Sequence, residues 1–483
     1  MRILLVQPGE LNTLGFRQTA LVEPLGLETV GGVLAGHEVR LLDMRVEGDL
    51  GRVMELFRPE VLGINCSFTL DRNLTIAVAE AAQAAGSRPY VIVGGHYASV
   101  SPADFAHQAI DAIVVGEGEP TMAELVGTLE RRESPRGVRG LVLNTPDGQI
   151  RTGTRRLADR LDDLPMPDRS LTGKYRKDYY LFAEKPMATV ETARGCPYHC
   201  NFCSVWQFYR GRYRAKGPRR VVREIAAVEE EYILFTDDNF LADVDRANEI
   251  GVLLLGEGMR HRYAFQARSD TVAANPDVVR LWRKVGLEGI FIGVEKIDDV
   301  GLGRVSKQNS AENNERALEI LRQEGIGVTA SFIVDPDWED ADFEALRGYV
   351  ASRRLETPTF SVLTPLPGTV LHRQMRERIR FQAPELYDLL HAVVPTRLPL
   401  PEFYSRFAEL YRTSYPVQRL WSDGPRLLRK GLLGGDLGHL QKLAEAARRM
   451  GDPESYLQGH RLWDEEPSPP RIAAGLQGAM GRV

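Results

Sequence analysis

Of the four cysteines in this 483-residue chain, three lie in one stretch, Gly195-Cys196-Pro-Tyr-His-Cys200-Asn-Phe-Cys203. A secreted disulfide framework does not gather its thiols this way, so the cluster points to metal in a reducing compartment. Thiolates at this spacing can hold three corners of an iron–sulfur cubane from one short loop. With only three protein ligands, the fourth iron keeps an open position for a cofactor or substrate. The rival is a tetrahedral zinc site with His199 as the fourth ligand. Neighbouring His199 and Cys200 are poorly placed to point at one metal. The remaining thiol, Cys66, ends an apolar run and reads as a packed core residue.

The elements around this loop alternate between strand and helix. From residue 186 the apolar runs Ala188–Thr192, Ile233–Thr236, Tyr263–Ala267, Ile290–Val294, Val328–Val334 and Phe360–Leu363 are separated by helical patterns. Six such units with right-handed crossovers predict an incomplete (β/α)6 barrel. Before it, Ile3–Val6, Glu38–Leu42, Val61–Asn65, Tyr90–Val93 and Ala112–Val115 predict a doubly wound, Rossmann-like parallel sheet. Ligands of such sheets sit beyond the carboxyl ends of the strands. Those ends carry Ser67-Phe68-Thr69, Gly94-Gly95-His96 and Gly116-Glu117-Gly118-Glu119, where glycines let backbone approach a ligand closely. The expected layout is an N-terminal domain over 1–145, a linker over 146–185, the barrel over 186–375 and a helical region over 376–483.

Composition narrows the function. The chain is 43% hydrophobic and 26% charged, which excludes a disordered or fibrous protein. A formal charge of -5 argues against a nucleic-acid partner. No apolar run is long enough to span a bilayer, and Met1–Pro8 shows no cleavable leader, so a cytoplasmic location is expected. The basic run of Arg210, Arg212, Arg214, Lys216, Arg219 and Arg220 is expected to be a solvated or anion-binding segment. Leu427–Leu433 and Leu437–Arg449 are favoured as a helical cap over a membrane-contact surface, and Pro467–Arg471 reads as a loose tail.

The cysteine loop after a first barrel strand, with Phe202 before the last thiol, resembles radical S-adenosylmethionine (SAM) enzymes. That resemblance implies a [4Fe-4S] cluster on Cys196, Cys200 and Cys203, and SAM as cofactor. Its SAM contacts would fall on Phe202, Asp237-Asp238-Asn239 after the second strand, Arg268 after the third and Glu295 after the fourth. Pro365-Leu-Pro-Gly-Thr369 closes the last strand as in cobalamin-dependent members. The N-terminal domain is similar to their cobalamin-binding domain, with Ser67, Phe68, Thr69, Gly94, Gly95, His96, Gly116 and Glu117 at the cofactor. An Asp-x-His-x-x-Gly motif is absent after the first strand, and neither His37 nor His96 has that setting. Cobalamin without a protein histidine on cobalt is therefore expected.

Within this class the chain is most similar to the hopanoid methyltransferases. The similarity lies in Thr192-Ala-Arg-Gly-Cys-Pro197, Cys203-Ser-Val-Trp-Gln-Phe-Tyr209, Asp335-Pro-Asp-Trp338 and His391-Ala-Val-Val-Pro-Thr-Arg-Leu-Pro-Leu400. It implies a radical SAM methyltransferase acting on an unactivated carbon of a hydrophobic, terpenoid-type substrate, with an external flavodoxin- or ferredoxin-like electron donor. One SAM would methylate cobalt and a second would yield the radical that removes a substrate hydrogen. Two alternatives stand beside it: an oxidative cyclase or rearrangement enzyme with the same cofactors, and a non-catalytic cobalamin or iron sensor. No substrate-contacting residue is identifiable from sequence.

Overall fold

The structure, a computed structural model, describes residues 1–10, 14–415 and 437–464. Leu427–Leu433 and Pro467–Arg471 lie outside the described residues. The first sheet is built from β1 (Arg2–Gln7), β2 (Glu38–Asp43), β3 (Val61–Asn65), β4 (Tyr90–Gly94), β5 (Ala112–Val114), β6 (Leu141–Thr145) and β7 (Gly148–Arg151). Their order is β2-β1-β3-β4-β5-β6-β7. The first five run parallel, and β6 and β7 add an antiparallel hairpin at the edge. Central β1 reads Ile-Leu-Leu-Val because both its faces are covered; Ile3, Leu4, Leu5 and Val6 are all fully buried. The strand order reverses between β1 and β3, so the loop after β3 stands at the switch point.

The second sheet contains β8 (Met187–Val190), β9 (Tyr232–Phe235), β10 (Arg262–Ala267), β11 (Leu287–Glu295), β12 (Gly327–Val334) and β13 (Thr357–Val362). All neighbours are parallel and in chain order, the (β/α)6 arrangement. Phe235, Phe240, Tyr263 and Phe265 surround Trp282, with ring centroids 4.9–5.7 Å from it. Phe240 follows Asn239 directly, so this aromatic core holds the loop after β9 in place. The helix Leu400–Ser414 shares the barrel core through Phe403, Tyr404, Phe407 and Tyr411. The helix Leu437–Met450 meets Tyr180 and the Phe182 carbonyl through His439.

The stretch 146–185 is well packed. Besides β7 it holds the 3-10 helix Arg169–Asp178, and Tyr175, Tyr179 and Tyr180 enter the N-terminal core together with Met187, Tyr232 and Ala264 of the barrel. Buried Glu23 of the first domain accepts from Thr189 of β8 and, at 2.9 Å, from Arg169.

A second, more polar junction joins the domains. Arg194, which precedes the cysteine loop, donates to Glu117 at 3.0 Å, Glu119 at 2.5 Å and Glu191 at 2.8 Å. Arg214, after the loop, donates to both oxygens of Glu117, at 3.1 and 2.8 Å. Burial pushes the Glu117 carboxyl up, but Arg214, Arg194 and the Ala158 amide outweigh it and hold it below the ordinary value. Glu117→Leu leaves two buried guanidiniums short of a carboxylate, and we expect a loss of about 3–5 kcal/mol in urea unfolding. With its folded value lowered, Glu117 contributes stability above the unfolded carboxyl pKa and loses it as pH falls through the folded value. The wild type should therefore lose more stability on acidification than the variant.

Candidate functional site

The cysteine loop starts from a backbone only glycine can supply. Gly195 has φ +88°, and a Cβ there would lie 2.2 Å from the Arg212 carbonyl oxygen. The two-residue strands Ala193–Arg194 and Arg214–Ala215 pair antiparallel and pinch the loop's base. Its middle is tied down through Asn201. That residue's N–H and amide donate to the Val305 and Arg304 carbonyls, and its own carbonyl accepts from Leu371 N–H. Trp206 Nε1 donates to the Cys200 carbonyl at 3.0 Å.

Cys196, Cys200 and Cys203 are free thiols, and each lies close enough to another to feel its charge. Burial raises all three, pushing Cys203 up to about 12. Bound iron supplies the positive charge that buried thiolates require, so the donor set fits an iron–sulfur cluster. Among the described residues no three His, Cys, Asp or Glu side chains converge on a single ion. His199 meets Trp206 edge to face at 4.9 Å and joins no such group, which speaks against the zinc reading among the described residues. Cys66 is fully buried in the N-terminal core, and burial raises its thiol well above the ordinary range.

The three residues after β9 have different surroundings. Asp237 accepts from the main chain of Thr192 (2.6 Å) and Ala193 (3.0 Å) and from the Thr192 hydroxyl. Its carboxylate secures the end of β8. Asp238 accepts from Gly195 N–H at 3.0 Å, and burial pushes it up to about 7. Asn239 is buried, and neither of its amide atoms has a hydrogen-bond partner. Such an amide is costly unless a ligand meets it. Arg268 is shared between Asp270, at 2.8 Å, and the Gln308 carbonyl, at 2.8 Å, and lies 3.5 Å from the Tyr198 ring centroid. Glu295, at φ +64°, accepts from Lys307 at 2.8 Å. Arg268, Lys307 and Glu295 all act electrostatically on Cys200, so the ends of β10 and β11 border the thiols. Phe202 is half-buried within the loop.

The carboxyl ends of β3, β4 and β5 form the facing surface. Phe68, at the switch point, is 59% exposed, with the Arg17 guanidinium 5.1 Å from its ring centroid. Thr69 is buried beneath it, and Ser67 bonds Asn65 at 3.0 Å. Ser99 joins the two glycine loops: its hydroxyl donates to the Gly95 carbonyl and accepts from Gly116 N–H at 3.0 Å. Gly95 and Gly116 both have positive φ, and a Cβ on Gly116 would meet nothing within 4 Å. A bare aromatic face beside small, hydroxyl-bearing loops fits a bulky planar cofactor with a trailing tail. Glu117 is the exception, since the ion pairs with Arg194 and Arg214 occupy it.

His96 reaches across the domain junction. Its Nε2 bonds Ser204 Oγ at 2.8 Å, one residue past Cys203, and its ring stacks on Phe208 at 4.6 Å and 22°. Burial lowers it to about 4, so the imidazole is neutral. Val100, in the same short helix, packs against Gly368 of the Pro365–Thr369 loop, where a Cβ would fall 2.8 Å from the valine. Sequence reading did not foresee His96–Ser204 or the roles of Arg194 and Arg214, because each partner is far away along the chain. The basic run is divided. Arg214 and Lys216 are buried in ion pairs, whereas Arg210, Arg212 and Arg219 are exposed.

Known proteins resemble this chain in both of its domains. The radical SAM superfamily model matches residues 190–350 and the B12 binding domain model residues 17–126. Hopanoid C-3 methylase of Methylococcus capsulatus is 35% identical over 453 residues, 91% of this chain and 86% of that protein. Anaerobic magnesium-protoporphyrin IX monomethyl ester cyclase of Rubrivivax gelatinosus is 28% identical over 63% of this chain and 56% of that one. In fold, the radical S-adenosylmethionine methyltransferase TsrM from Kitasatospora setae superposes with TM-score 0.70, covering 93% of this chain and 100% of its own at 17% identity. Matched along nearly its whole length at that level by hopanoid C-3 methylase, the chain belongs to the family of cobalamin-dependent radical SAM methyltransferases.

Proposed function

We propose that this enzyme methylates an unactivated carbon of a hydrophobic, terpenoid-type substrate, with hopanoids as the first class to test, in the cytoplasm. The observation that carries the proposal is the direct contact between the two cofactor faces. His96 of the β4 loop bonds Ser204 beside the last thiol, and Glu117 of the β5 loop bonds Arg194 just before the first. The similarity to hopanoid C-3 methylase supports the substrate class. No helix among the described residues is long and apolar enough to cross a membrane.

When bound, the cluster with SAM supplies a hydrogen-abstracting radical and cobalamin supplies a methyl group. The chain's own residues hold these groups. Cys196, Cys200 and Cys203 ligate iron. Asn239 offers a free donor and acceptor to SAM, with Asp238, Arg268, Glu295 and Phe202 around it. Asp237 works indirectly, by fixing the strand end from which the loop departs. On the facing domain, Phe68 and the loops of Ser67, Thr69, Gly94, Gly95 and Gly116 receive cobalamin. His96 would border the cofactor without serving as its cobalt ligand, and its Nε2 is engaged by Ser204 Oγ.

Three expectations follow from these assignments. Cys196→Ala, Cys200→Ala or Cys203→Ala should each abolish SAM cleavage and lower bound iron, while Cys66→Ala leaves iron content near wild type; iron assay with anaerobic reconstitution decides. Electron paramagnetic resonance of the cobalamin-loaded, one-electron-reduced protein should lack splitting from an axial nitrogen. A nitrogen triplet that disappears in His96→Ala would reverse the His96 assignment. Each turnover should also yield about one 5′-deoxyadenosine and one S-adenosylhomocysteine, with a product heavier by one CH2. An altered substrate of lower mass, formed without S-adenosylhomocysteine, would favour cyclase chemistry of the kind named for the Rubrivivax relative.

A further inference from the structure

The outer side of the cysteine loop is rich in exposed arginines, with Glu377 beside Arg376 as the neighbouring acid, on a chain whose net charge is -5. Three stretches meet there through Asn201: residues 198–211, 303–306 and 370–376. Together they contain no Asp or Glu. Four of their arginines, Arg210, Arg304, Arg373 and Arg376, are exposed. Arg210 donates to the Arg155 carbonyl at 3.1 Å, and Arg373 to the Gln207 amide oxygen at 3.4 Å. None of the four has a carboxylate partner among the described residues. Elsewhere on this protein exposed arginines commonly sit in such pairs, as Arg353 does with Glu315 and Arg378 with Asp337.

Beneath this rim the loop presents aromatic rings that lead inward. Half-buried Trp206 and exposed His199 meet edge to face, and Trp206 hydrogen-bonds the carbonyl of Cys200.

We infer that the rim of Arg210, Arg304, Arg373 and Arg376 is the docking surface for an acidic one-electron donor protein of the flavodoxin or ferredoxin kind. This rests on the reading above that the loop holds an iron–sulfur cluster reduced from outside. Transfer moves one electron: the donor is oxidised by one, the cluster is reduced by one, and no proton is exchanged at the surface. Unpaired guanidiniums attract an acidic partner and orient it, which makes association salt-dependent. The aromatic pair lies between that partner and Cys200.

The test uses the full-length chain and a bacterial flavodoxin as probe. Binding is followed by titration calorimetry, in wild type, in Arg210→Glu/Arg373→Glu/Arg376→Glu and in the single Arg376→Glu. The triple variant should bind about tenfold or more weakly and the single variant by an intermediate factor. Wild-type binding should itself weaken as salt rises from about 50 to about 300 mM. SAM cleavage driven by reduced flavodoxin should fall in parallel with affinity, while cleavage driven by sodium dithionite stays at the wild-type rate. Equal flavodoxin binding by all three proteins overturns the inference. So does an equal loss of dithionite-driven cleavage, which would make these arginines supports of the loop. Loss of binding to phosphatidylglycerol vesicles with flavodoxin binding intact would assign the rim to a membrane. If no reductant drives cleavage in wild type, the functional reading fails, and the binding comparison still decides the surface.

Discussion

Everything in this site depends on one buried group of charges, the two carboxylates of the β5 loop closed on Arg194 and Arg214. These arginines flank the cysteine loop in sequence and are paired with each other in a two-residue ladder. Holding them therefore fixes where the loop begins and ends. The charges are nearly inaccessible, with Arg194, Glu117 and Glu119 between 5% and 7% exposed. Buried ion pairs seldom add net stability, since desolvation offsets their attraction, but breaking one from a single side is costly. Their effect here is registry. An apolar interface could slide, whereas bidentate guanidinium–carboxylate geometry admits one relative placement of the domains.

Two smaller contacts use that placement. His96 is neutral and stacked, so it crosses the junction without bringing another charge into a region already dense with them. Gly368 lets the loop after β13 touch Val100 of the same short helix. The β4 loop is thus held between the first and last strands of the barrel. Two cofactors that must serve a single substrate carbon need their supports fixed to each other, and these contacts fix them.

The cysteine loop and the strand framework were legible in sequence because both are local signals. Three thiols in eight residues need no partner elsewhere, and a parallel strand buried on both faces is an uninterrupted apolar run, as in β1. The stretch 146–185 was harder to read. Its Arg, Asp, Pro and Gly content suggests a connector, yet Tyr175, Tyr179 and Tyr180 are buried there and bridge two cores. The ion pairs of Glu117 were hidden for a similar reason. A glycine–acid loop at a strand end is consistent with a cofactor cradle, and only the position of Arg194 and Arg214, far along the chain, shows where the carboxylate goes. In the basic run, Arg214 lies on the two-residue strand and is buried on Glu117, whereas Arg212, before that strand, is exposed and pairs with Asp159.

The same logic separates three adjacent polar residues after β9. Asp237, Asp238 and Asn239 look equivalent as strand-end polar groups, but their partners differ in what they can accept. The main-chain N–H groups of Thr192, Ala193 and Gly195 are donors at the exact start of the cysteine loop, and two carboxylates satisfy them. A third carboxylate would have added another buried charge without a donor, at a cost well above that of an amide. Asparagine is the residue that can remain uncharged, buried and unpaired until something polar arrives. Its unmet donor and acceptor are tolerable because Phe240 and the aromatic core around Trp282 hold the loop rigid. In this loop the carboxylates take the main-chain donors, and the amide is left unpaired.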